Sequence, residues 1–167
     1  MRVDETLAGP RILVVLGDGG HTAEILRLVE LMGPAYDFHY VAAHEDGHSA
    51  ERIGIPGPMY RIRRPRGKSE SWFSAMRHLV VSLTQALRAC HRVRPLAVLG
   101  SGPSVMVPVA LVARVLGSKV IFVETGSRVT ALSLTGKIML RLANLYFVQW
   151  EQLQRRYPNT VYGGRLL

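Results

Sequence analysis

Short apolar runs and longer stretches of helical periodicity alternate along the chain. Runs of three to six residues, bounded by glycine, proline or polar positions, are too short for helices and predict strands. The predicted strands are Ile12–Leu16, Phe38–Ala43, Met59–Arg63, Leu96–Leu99, Lys119–Val123, Leu145–Val148 and Thr160–Tyr162. Apolar residues recur at helical spacing between them. They predict helices from His21 to Met32, Trp72 to Cys90, Val105 to Leu116, Leu132 to Leu142 and Gln149 to Tyr157.

The alternation of strands and helices indicates the fold class. Successive strand–helix–strand units imply right-handed crossovers and an open, mostly parallel sheet with helices on both faces, which is a Rossmann-like α/β fold. With 167 residues and 48% hydrophobic content, we expect one domain over residues 11–167 after a polar N-terminal segment, residues 1–10. That segment is too short for a signal peptide or a membrane span. The longest apolar stretch, Val105–Gly117, is interrupted by Pro108 and Arg114, so we expect a buried helix and no transmembrane helix.

A glycine turn joins the first strand to the first helix. Gly17, Gly19 and Gly20 precede a helix start whose free backbone N–H groups and dipole favour an anion, typically a phosphate. Alternatively, the glycines serve only to let strand and helix pack closely. His21 lies in the first helical turn, at the carboxyl edge of the sheet, where an imidazole suits proton transfer. Thr22 occupies the third glycine position of the dinucleotide fingerprint, so a nicotinamide is disfavoured and no cofactor is expected.

A second glycine turn follows the fourth predicted strand. It consists of Gly100, Ser101, Gly102, Pro103 and Ser104. Because the two turns occupy equivalent positions after parallel strands, both place backbone donors on one edge of the sheet. They therefore predict a shared ligand, such as a diphosphate.

Two charged residues follow the strand Lys119–Val123 on the same edge of the sheet. Glu124 and Arg128 could simply pair with each other, and a surface ion pair of this kind adds about 1 kcal/mol at most. Alternatively, the carboxylate could orient a sugar hydroxyl or His21, while Arg128 could hold a phosphate. The sequence is compatible with either arrangement.

Positive charge is concentrated in one part of the chain. The formal net charge is +9, and ten of the 21 Lys and Arg residues lie between Arg52 and Arg94, together with one acid, Glu70. Such a segment favours an anionic partner. Nucleic acid, anionic lipid and a phosphorylated substrate all qualify, and a solvated face without a partner is the remaining alternative.

The basic loop after the third strand ends in two large aromatic residues. Its cationic and aromatic members are Arg61, Arg63, Arg64, Arg66, Lys68, Trp72 and Phe73. They fit a surface that rests on anionic lipid headgroups, with ordinary packing as the alternative. Most of the helical stripe that follows is predicted to be core, with Met76, Leu79, Val80, Leu83, Leu87 and Cys90. The single cysteine excludes a disulfide framework and a cysteine-based metal site, and no metal site is predicted.

Five motifs occur in the order and at the separations typical of one known family. They are Leu16-Gly17-Asp18-Gly19-Gly20-His21-Thr22-Ala23-Glu24-Ile25-Leu26-Arg27, Gly100-Ser101-Gly102-Pro103, Val123-Glu124-Thr125-Gly126-Ser127-Arg128-Val129, Leu132-Ser133-Leu134-Thr135-Gly136-Lys137 and Phe147-Val148-Gln149-Trp150. From Ile12 to its last residue, the chain resembles the Alg-fourteen (Alg14) family. Its members are acceptor-side subunits of the N-acetylglucosaminyltransferase that makes the second sugar of lipid-linked oligosaccharides, with bacterial relatives in polysaccharide synthesis.

The resemblance implies half of an enzyme. Family members are similar to the N-terminal half of GT-B glycosyltransferases such as MurG, while a separate Alg-thirteen-like (Alg13-like) chain supplies the UDP-sugar-binding half. The site expected for the diphosphate of a polyprenyl-linked sugar acceptor comprises Gly17, Gly19, Gly20, Thr22, Gly100, Ser101, Gly102, Ser104 and Arg128. The expected catalytic residues are His21, as general base for the acceptor hydroxyl, and Glu124.

The resemblance also implies a peripheral protein on the cytoplasmic face of a membrane, contacted through the basic loop, without a nucleic-acid partner. Asp18 departs from the family pattern, which has a small polar residue there. Its carboxylate would repel a diphosphate, so either the side chain points away as a helix cap or the ligand differs. The alternative from another class is a non-catalytic scaffold that recruits the catalytic partner to the membrane. A nucleic-acid-binding domain is supported only by the basic segment.

Overall fold

The computed structural model describes residues 9–17, 19–65 and 72–167, without the side chains of residues 72–75. The strands in these ranges are β1 (Arg11–Val15), β2 (Asp37–Ala43), β3 (Met59–Ile62), β4 (Ala97–Ser101), β5 (Lys119–Val123), β6 (Leu145–Val148) and β7 (Val161–Tyr162). The helices are α1 (Gly20–Met32), α2 (Trp72–Val93), α3 (Met106–Val115), α4 (Leu134–Leu142) and α5 (Glu151–Arg156), with a short 3₁₀ turn at Ala50–Arg52.

The strands form one sheet in the order β3-β2-β1-β4-β5-β6-β7, and every described strand pair is parallel. The order reverses at β1, so β1 and β4 are neighbours at the centre, with Val15 beside Gly100. This is the sheet that the alternating pattern predicted, and the Rossmann-like α/β fold is confirmed.

Helices cover both faces of the sheet. Because side chains alternate along a strand, Leu13 and Val15 of β1 enter one core while Ile12 and Val14 enter the other. The first core is completed by residues of α2, α3, α4 and α5, and the second by residues of α1. Cys90 lies in the first core as predicted, where burial raises the pKa of its thiol to about 11.

Helix α2 turns a different face to the core than the sequence predicted. Its buried positions are mostly small, at His78, Ser82, Ala86, Ala89, Cys90 and Val93. Met76, Val80 and Leu87 are 44, 53 and 47% exposed, so their assignment to the core is wrong. The alanines let α2 pack closely, which leaves the larger apolar side chains outside. Helix α3 is likewise buried along one side only, since Leu111 and Val115 are exposed.

Candidate functional site

The two glycine turns meet at the carboxyl edge of the central strands. The first turn follows β1, the second begins at the end of β4, and these strands are paired neighbours. A Cβ on Gly17 would lie 3.0 Å from the Pro103 ring and 3.1 Å from the His21 Cβ. The first turn therefore lies against both the second turn and the start of α1.

The His21 imidazole lies directly against Gly102. A Cβ at position 102 would overlap the ring at Cε1 and Nδ1, and the residue has a φ of 40°. Glycine is therefore favoured at this position both by the close approach and by the left-handed backbone. His21 is half-buried, and its Nδ1 is buried without a hydrogen-bond partner among the described residues.

A cavity of about 210 Å³ lies between the two turns. Its described lining residues are Leu16, Gly17, His21, Ala43, Arg64, Pro103, Ser104 and Val105, with no carboxylate among them. Arg64, which the sequence assigned to membrane contact, is thus a lining residue of this cavity, with its Nε 3.7 Å from Glu45 Oε2. The cavity offers an anion a guanidinium and an imidazole.

Only part of the two glycine turns is open to a ligand. Gly19 and Gly20 are exposed, and nothing lies within 4 Å of a Cβ placed on either residue. Gly19 also has a φ of 60°. Ser104 is exposed at the mouth of the second turn and lines the cavity. Together with Gly17, which lines the cavity, these three residues are turn positions that a diphosphate could approach.

Three predicted diphosphate-binding residues are turned into the protein instead. Thr22 is buried, and its Oγ1 donates a hydrogen bond to the Gly17 carbonyl. Ser101 is fully buried. A Cβ on Gly100 would lie 2.6 Å from the Met106 Sδ, so this glycine is needed for α3 to pack on the sheet. Thr22 thus shapes the first turn and Gly100 lets α3 pack, while Ser101 Oγ has no hydrogen-bond partner among the described residues. Direct contact of these three residues with a ligand stays a prediction.

A buried polar network that the sequence analysis missed supports the first turn. Ser49 Oγ lies 3.0 Å from the Gly17 carbonyl oxygen and within hydrogen-bond distance of Asp46, whose Oδ1 accepts from the backbone N–H groups of His48 and Ser49. Burial acts to raise the pKa of Asp46, but the hydrogen bonds from Ser49 and His48, with the charge of Arg61, hold it below its usual value. The turn-forming pattern Asp-x-x-Ser was the available signal.

Glu124 is fully buried instead of facing the ligand edge. Its Oε2 accepts hydrogen bonds from the Tyr146 hydroxyl at 2.8 Å and from the Ser133 backbone N–H and Oγ at 3.2 Å. Burial and the charge and hydrogen bond of Glu124 raise the pKa of Tyr146, which therefore stays a donor. The carboxylate joins the end of β5 to the start of α4 and is in no position to touch a sugar hydroxyl. Arg128 is exposed on the same loop, separate from this enclosed group.

Glu24 is a second buried carboxylate, one helical turn after His21. Its Oε1 accepts hydrogen bonds from the Gly126 N–H at 2.8 Å and the Thr125 Oγ1 at 3.2 Å, while its Oε2 is buried with no partner in the described part of the chain. These contacts fasten α1 to the loop after β5 and so help to fix the helix that carries His21. No local sequence pattern marks this role, because the two partners lie 101 and 102 positions away in the chain.

The predicted membrane-contact residues are not one group in the structure. Arg61 donates from Nη1 to two backbone carbonyls after β2, Arg63 is exposed, and Arg64 lines the cavity. The other members and one further residue of interest lie outside the described part: Arg66, Lys68, the side chains of Trp72 and Phe73, and Asp18. Membrane contact through this loop stays a prediction.

Comparison with known proteins identifies the family. Residues 12–166 match the model of a family described as "Oligosaccharide biosynthesis protein Alg14 like". The chain belongs to the Alg14 family. A Homo sapiens relative named UDP-N-acetylglucosamine transferase subunit ALG14 is 39% identical, over 93% of this chain and 82% of the relative. A Yarrowia lipolytica relative of the same name is 29% identical, over 96% and 82%. The resemblance carried by the five motifs is confirmed.

Solved structures share the fold of this Alg14 family chain. Acinetobacter baumannii MurG superposes with a TM-score of 0.68 at 22% identity, over 94% of this chain and 44% of MurG. A UDP-N-acetylglucosamine 2-epimerase from Rickettsia bellii gives a TM-score of 0.70 at 13% identity, over 95% and 45%. The chain therefore spans less than half the length of either protein. The fold is the expected Rossmann-like half of a GT-B architecture, and the family is that of a glycosyltransferase subunit.

Proposed function

We propose that this Alg14 family chain is the acceptor-binding subunit of a two-chain glycosyltransferase in lipid-linked oligosaccharide or polysaccharide biosynthesis. It binds a polyprenyl diphosphate-linked sugar, and an Alg13-like chain brings a UDP-sugar whose sugar, N-acetylglucosamine, is transferred. The name of the human relative supports this donor. The word subunit in the name of the human relative supports the need for a second chain, without which we expect no activity.

The observation that carries the proposal is the cavity between the two glycine turns. At the start of α1, the N–H groups of Gly19 and Gly20 have no intrahelical acceptor, and the helix dipole favours an anion there. Arg64, which also pairs with Glu45 at 3.7 Å, adds a guanidinium to the cavity lining, and Arg128 adds another on the loop after β5. A diphosphate at this position would be bound by main-chain donors and by one or both arginines.

His21 is the candidate general base. Its Nδ1 is buried, so Nε2 is the ring nitrogen that can accept a proton from the acceptor hydroxyl. In the reaction the hydroxyl oxygen forms a bond to C1 of the donor sugar, while the bond between C1 and the UDP oxygen breaks. UDP leaves with the electron pair, and His21 Nε2 takes the proton. General-base catalysis of this kind contributes roughly 10²–10⁴-fold in rate.

An exposed apolar face of α2 supports a peripheral membrane contact. Met76, Val80 and Leu87 lie on one side of the helix and follow the aromatic pair Trp72-Phe73 in sequence. In the proposal this face lies in the interface of the cytoplasmic leaflet, with nearby arginines at the anionic headgroups. No helix within the described ranges has the length and hydropathy required to cross a bilayer.

Reconstitution tests the catalytic assignment. The full chain is mixed with an Alg13-like chain, a UDP-sugar and a polyprenyl diphosphate-linked sugar, and transfer is compared for the wild type, His21→Ala and His48→Ala. His48 is an exposed histidine whose described hydrogen bond comes from the backbone N–H, so it is a matched control. We expect His21→Ala to lower kcat by roughly 100-fold or more and His48→Ala to have no effect. Full activity of His21→Ala would rule out the general-base role.

The same assay distinguishes a catalytic subunit from a non-catalytic scaffold. A scaffold could also use the exposed face of α2 to contact the membrane. The Alg13-like partner is attached artificially to acceptor-containing vesicles, and the His21→Ala chain is added. Persistent loss of transfer supports an acceptor-binding, catalytic subunit. Recovery of transfer by attachment alone supports a scaffold and contradicts the proposal.

A further inference from the structure

A larger cavity, of about 550 Å³, lies between the edge strand β3 and the C-terminal half of α2. We call it the basic groove, and its nitrogen-bearing side chains are His44, Arg61, Gln85, Arg88, His91 and Arg92. It shares no described lining residue with the cavity between the glycine turns. Its volume lies within the range of about 300–1,000 Å³ that is typical of small-molecule sites.

The positive charge of the basic groove has little opposition from the protein. Helix α2 contains no Asp or Glu in its 22 residues, and no carboxylate is among the described residues that line the groove. Elsewhere in the described structure, exposed arginines form ion pairs with acidic side chains, as Arg27 does with Glu30 at 3.3 Å. Arg88 and Arg92 have no ion-pair partner within the described ranges. They are four residues apart on α2, so their guanidinium groups lie on one side of the helix.

The side of the groove formed by β3 is held in place. Arg61 donates from Nη1 to two backbone carbonyls, and in the described contacts its Nε and Nη2 have no protein acceptor. The Asp46 carboxylate lies near Arg61, but its oxygens are engaged by the backbone and side chain of the 46–49 turn. Gln85 Oε1 accepts the Arg63 N–H at 2.7 Å, which leaves the amide NH₂ as a free donor. An anion would therefore meet donors that are already positioned.

We propose that the basic groove is a second anion-binding site, for a phosphate-bearing ligand with two or more negative charges, such as a diphosphate or a phosphomonoester. Arginine side chains bind phosphate oxygens through paired, charge-assisted hydrogen bonds, and the groove has three of them. The imidazoles and the amide add further donors. A cation would be repelled by this lining. The inference stands independently of acceptor binding, because it concerns a different cavity.

Pyrophosphate binding to the full chain tests the proposal. Calorimetric titration at low salt compares the wild type with Arg88→Gln/Arg92→Gln and with Arg141→Gln/Arg155→Gln, which removes the same charge from exposed positions outside the groove. We expect the groove variant to weaken pyrophosphate binding by at least about tenfold and the control by less than about twofold. The side-chain Nε–Hε NMR signals of Arg88 and Arg92 should shift in the wild type as pyrophosphate saturates.

A third variant separates this site from the cavity between the turns. Arg64→Gln should leave the shifts of the Arg88 and Arg92 signals intact, even if total pyrophosphate uptake falls. Equal affinities of the groove variant and its charge-matched control would overturn the proposal. Arginine signals that do not move at saturation, or that stop moving in Arg64→Gln, would do the same.

Vesicles identify the source of the phosphate. The same variants are sedimented with phosphatidylcholine vesicles that contain phosphatidic acid, whose headgroup is a phosphomonoester. If the ligand is a lipid headgroup, the groove variant is retained less than its control. If the ligand is a soluble phosphate compound, the two variants are retained equally, while the loss of pyrophosphate affinity persists. Either outcome supports the phosphate site.

Discussion

Replacing Gly102 by alanine tests how closely the second glycine turn and His21 fit together. The new Cβ would overlap the imidazole, and position 102 has a φ of 40°, so the substitution meets a collision as well as backbone strain. Gly117 is the matched control, because its φ is 85° and nothing lies within 4 Å of a Cβ there. Gly117→Ala therefore meets backbone strain alone.

The two substitutions should differ clearly in their effect on stability. A non-glycine residue in the left-handed region costs roughly 1–2 kcal/mol. Overpacking typically adds about 1–3 kcal/mol. We expect Gly117→Ala to lower the free energy of unfolding by about 1 kcal/mol and Gly102→Ala to lower it by about 2–4 kcal/mol. Since 1 kcal/mol shifts Tm by roughly 2–4 °C in a chain of this size, Gly102→Ala should melt several degrees lower.

Urea denaturation of single and double variants provides the assay. In a His21→Ala background the colliding ring is gone, so Gly102→Ala should then cost about as much as Gly117→Ala. In the reconstituted transferase, a base displaced by about 1 Å should cost roughly 100-fold in kcat, whereas Gly117→Ala should transfer normally. The reasoning is refuted if Gly102→Ala destabilises no more than Gly117→Ala, or if removal of the His21 ring leaves its cost unchanged.

Three further predictions concern groups away from this contact. In Glu124→Gln the new amide NH₂ group would face the buried donors that now bind the carboxylate, so the free energy of unfolding measured in urea should fall by about 2–3 kcal/mol. A fall no larger than that of Glu51→Gln, at an exposed position, would contradict the role of Glu124. Because the pKa of Asp46 is lowered in the folded state, its carboxylate stabilises the fold above about pH 4, its unfolded value, and that contribution fades as the pH falls further. The difference in unfolding free energy between wild type and Asp46→Asn should therefore be constant from about pH 5 to 7 and shrink below about pH 4; a difference that grows on acidification would be incompatible with this sign. Met76→Ser/Val80→Ser should weaken sedimentation with anionic vesicles. Because both side chains are about half exposed, the Tm of this variant should stay within about 2 °C of the wild type. A larger fall in Tm would show that the two side chains belong to the core.

The sheet could be predicted closely because a parallel strand buried on both faces is an apolar run with polar ends. Strands β5 and β6 begin and end where the pattern placed them, at Lys119–Val123 and Leu145–Val148. Helix α2 shows the limit of the same reasoning. Its large apolar residues form the clearest stripe in the sequence, but alanines make the contact with the core. Hydrophobicity alone does not predict that a small side chain will be buried in preference to a large one.

The position of each site residue at the sheet edge followed from the sequence, but the direction of its side chain did not. Thr22 turns inward because Ser49 and the Gly17 carbonyl offer it partners, and Glu124 turns inward towards Tyr146. Ser49 and Tyr146 come from distant segments of the chain, so no local pattern reports them. Arg64 reaches the cavity because the chain after β3 lies beside the end of β2, which is again a tertiary relation.

The reversal of strand order at β1 builds the cavity between the glycine turns from two distant parts of the chain. One wall belongs to the turn after β1 and the other to the turn at the end of β4, and β2, β3 and the whole of α2 lie between them in the chain. A nascent polypeptide that has not yet paired β4 with β1 has no cavity to fill. A ligand bound between the two turns, such as the proposed lipid diphosphate, would consequently favour the paired central strands over any form in which β4 has not yet joined β1.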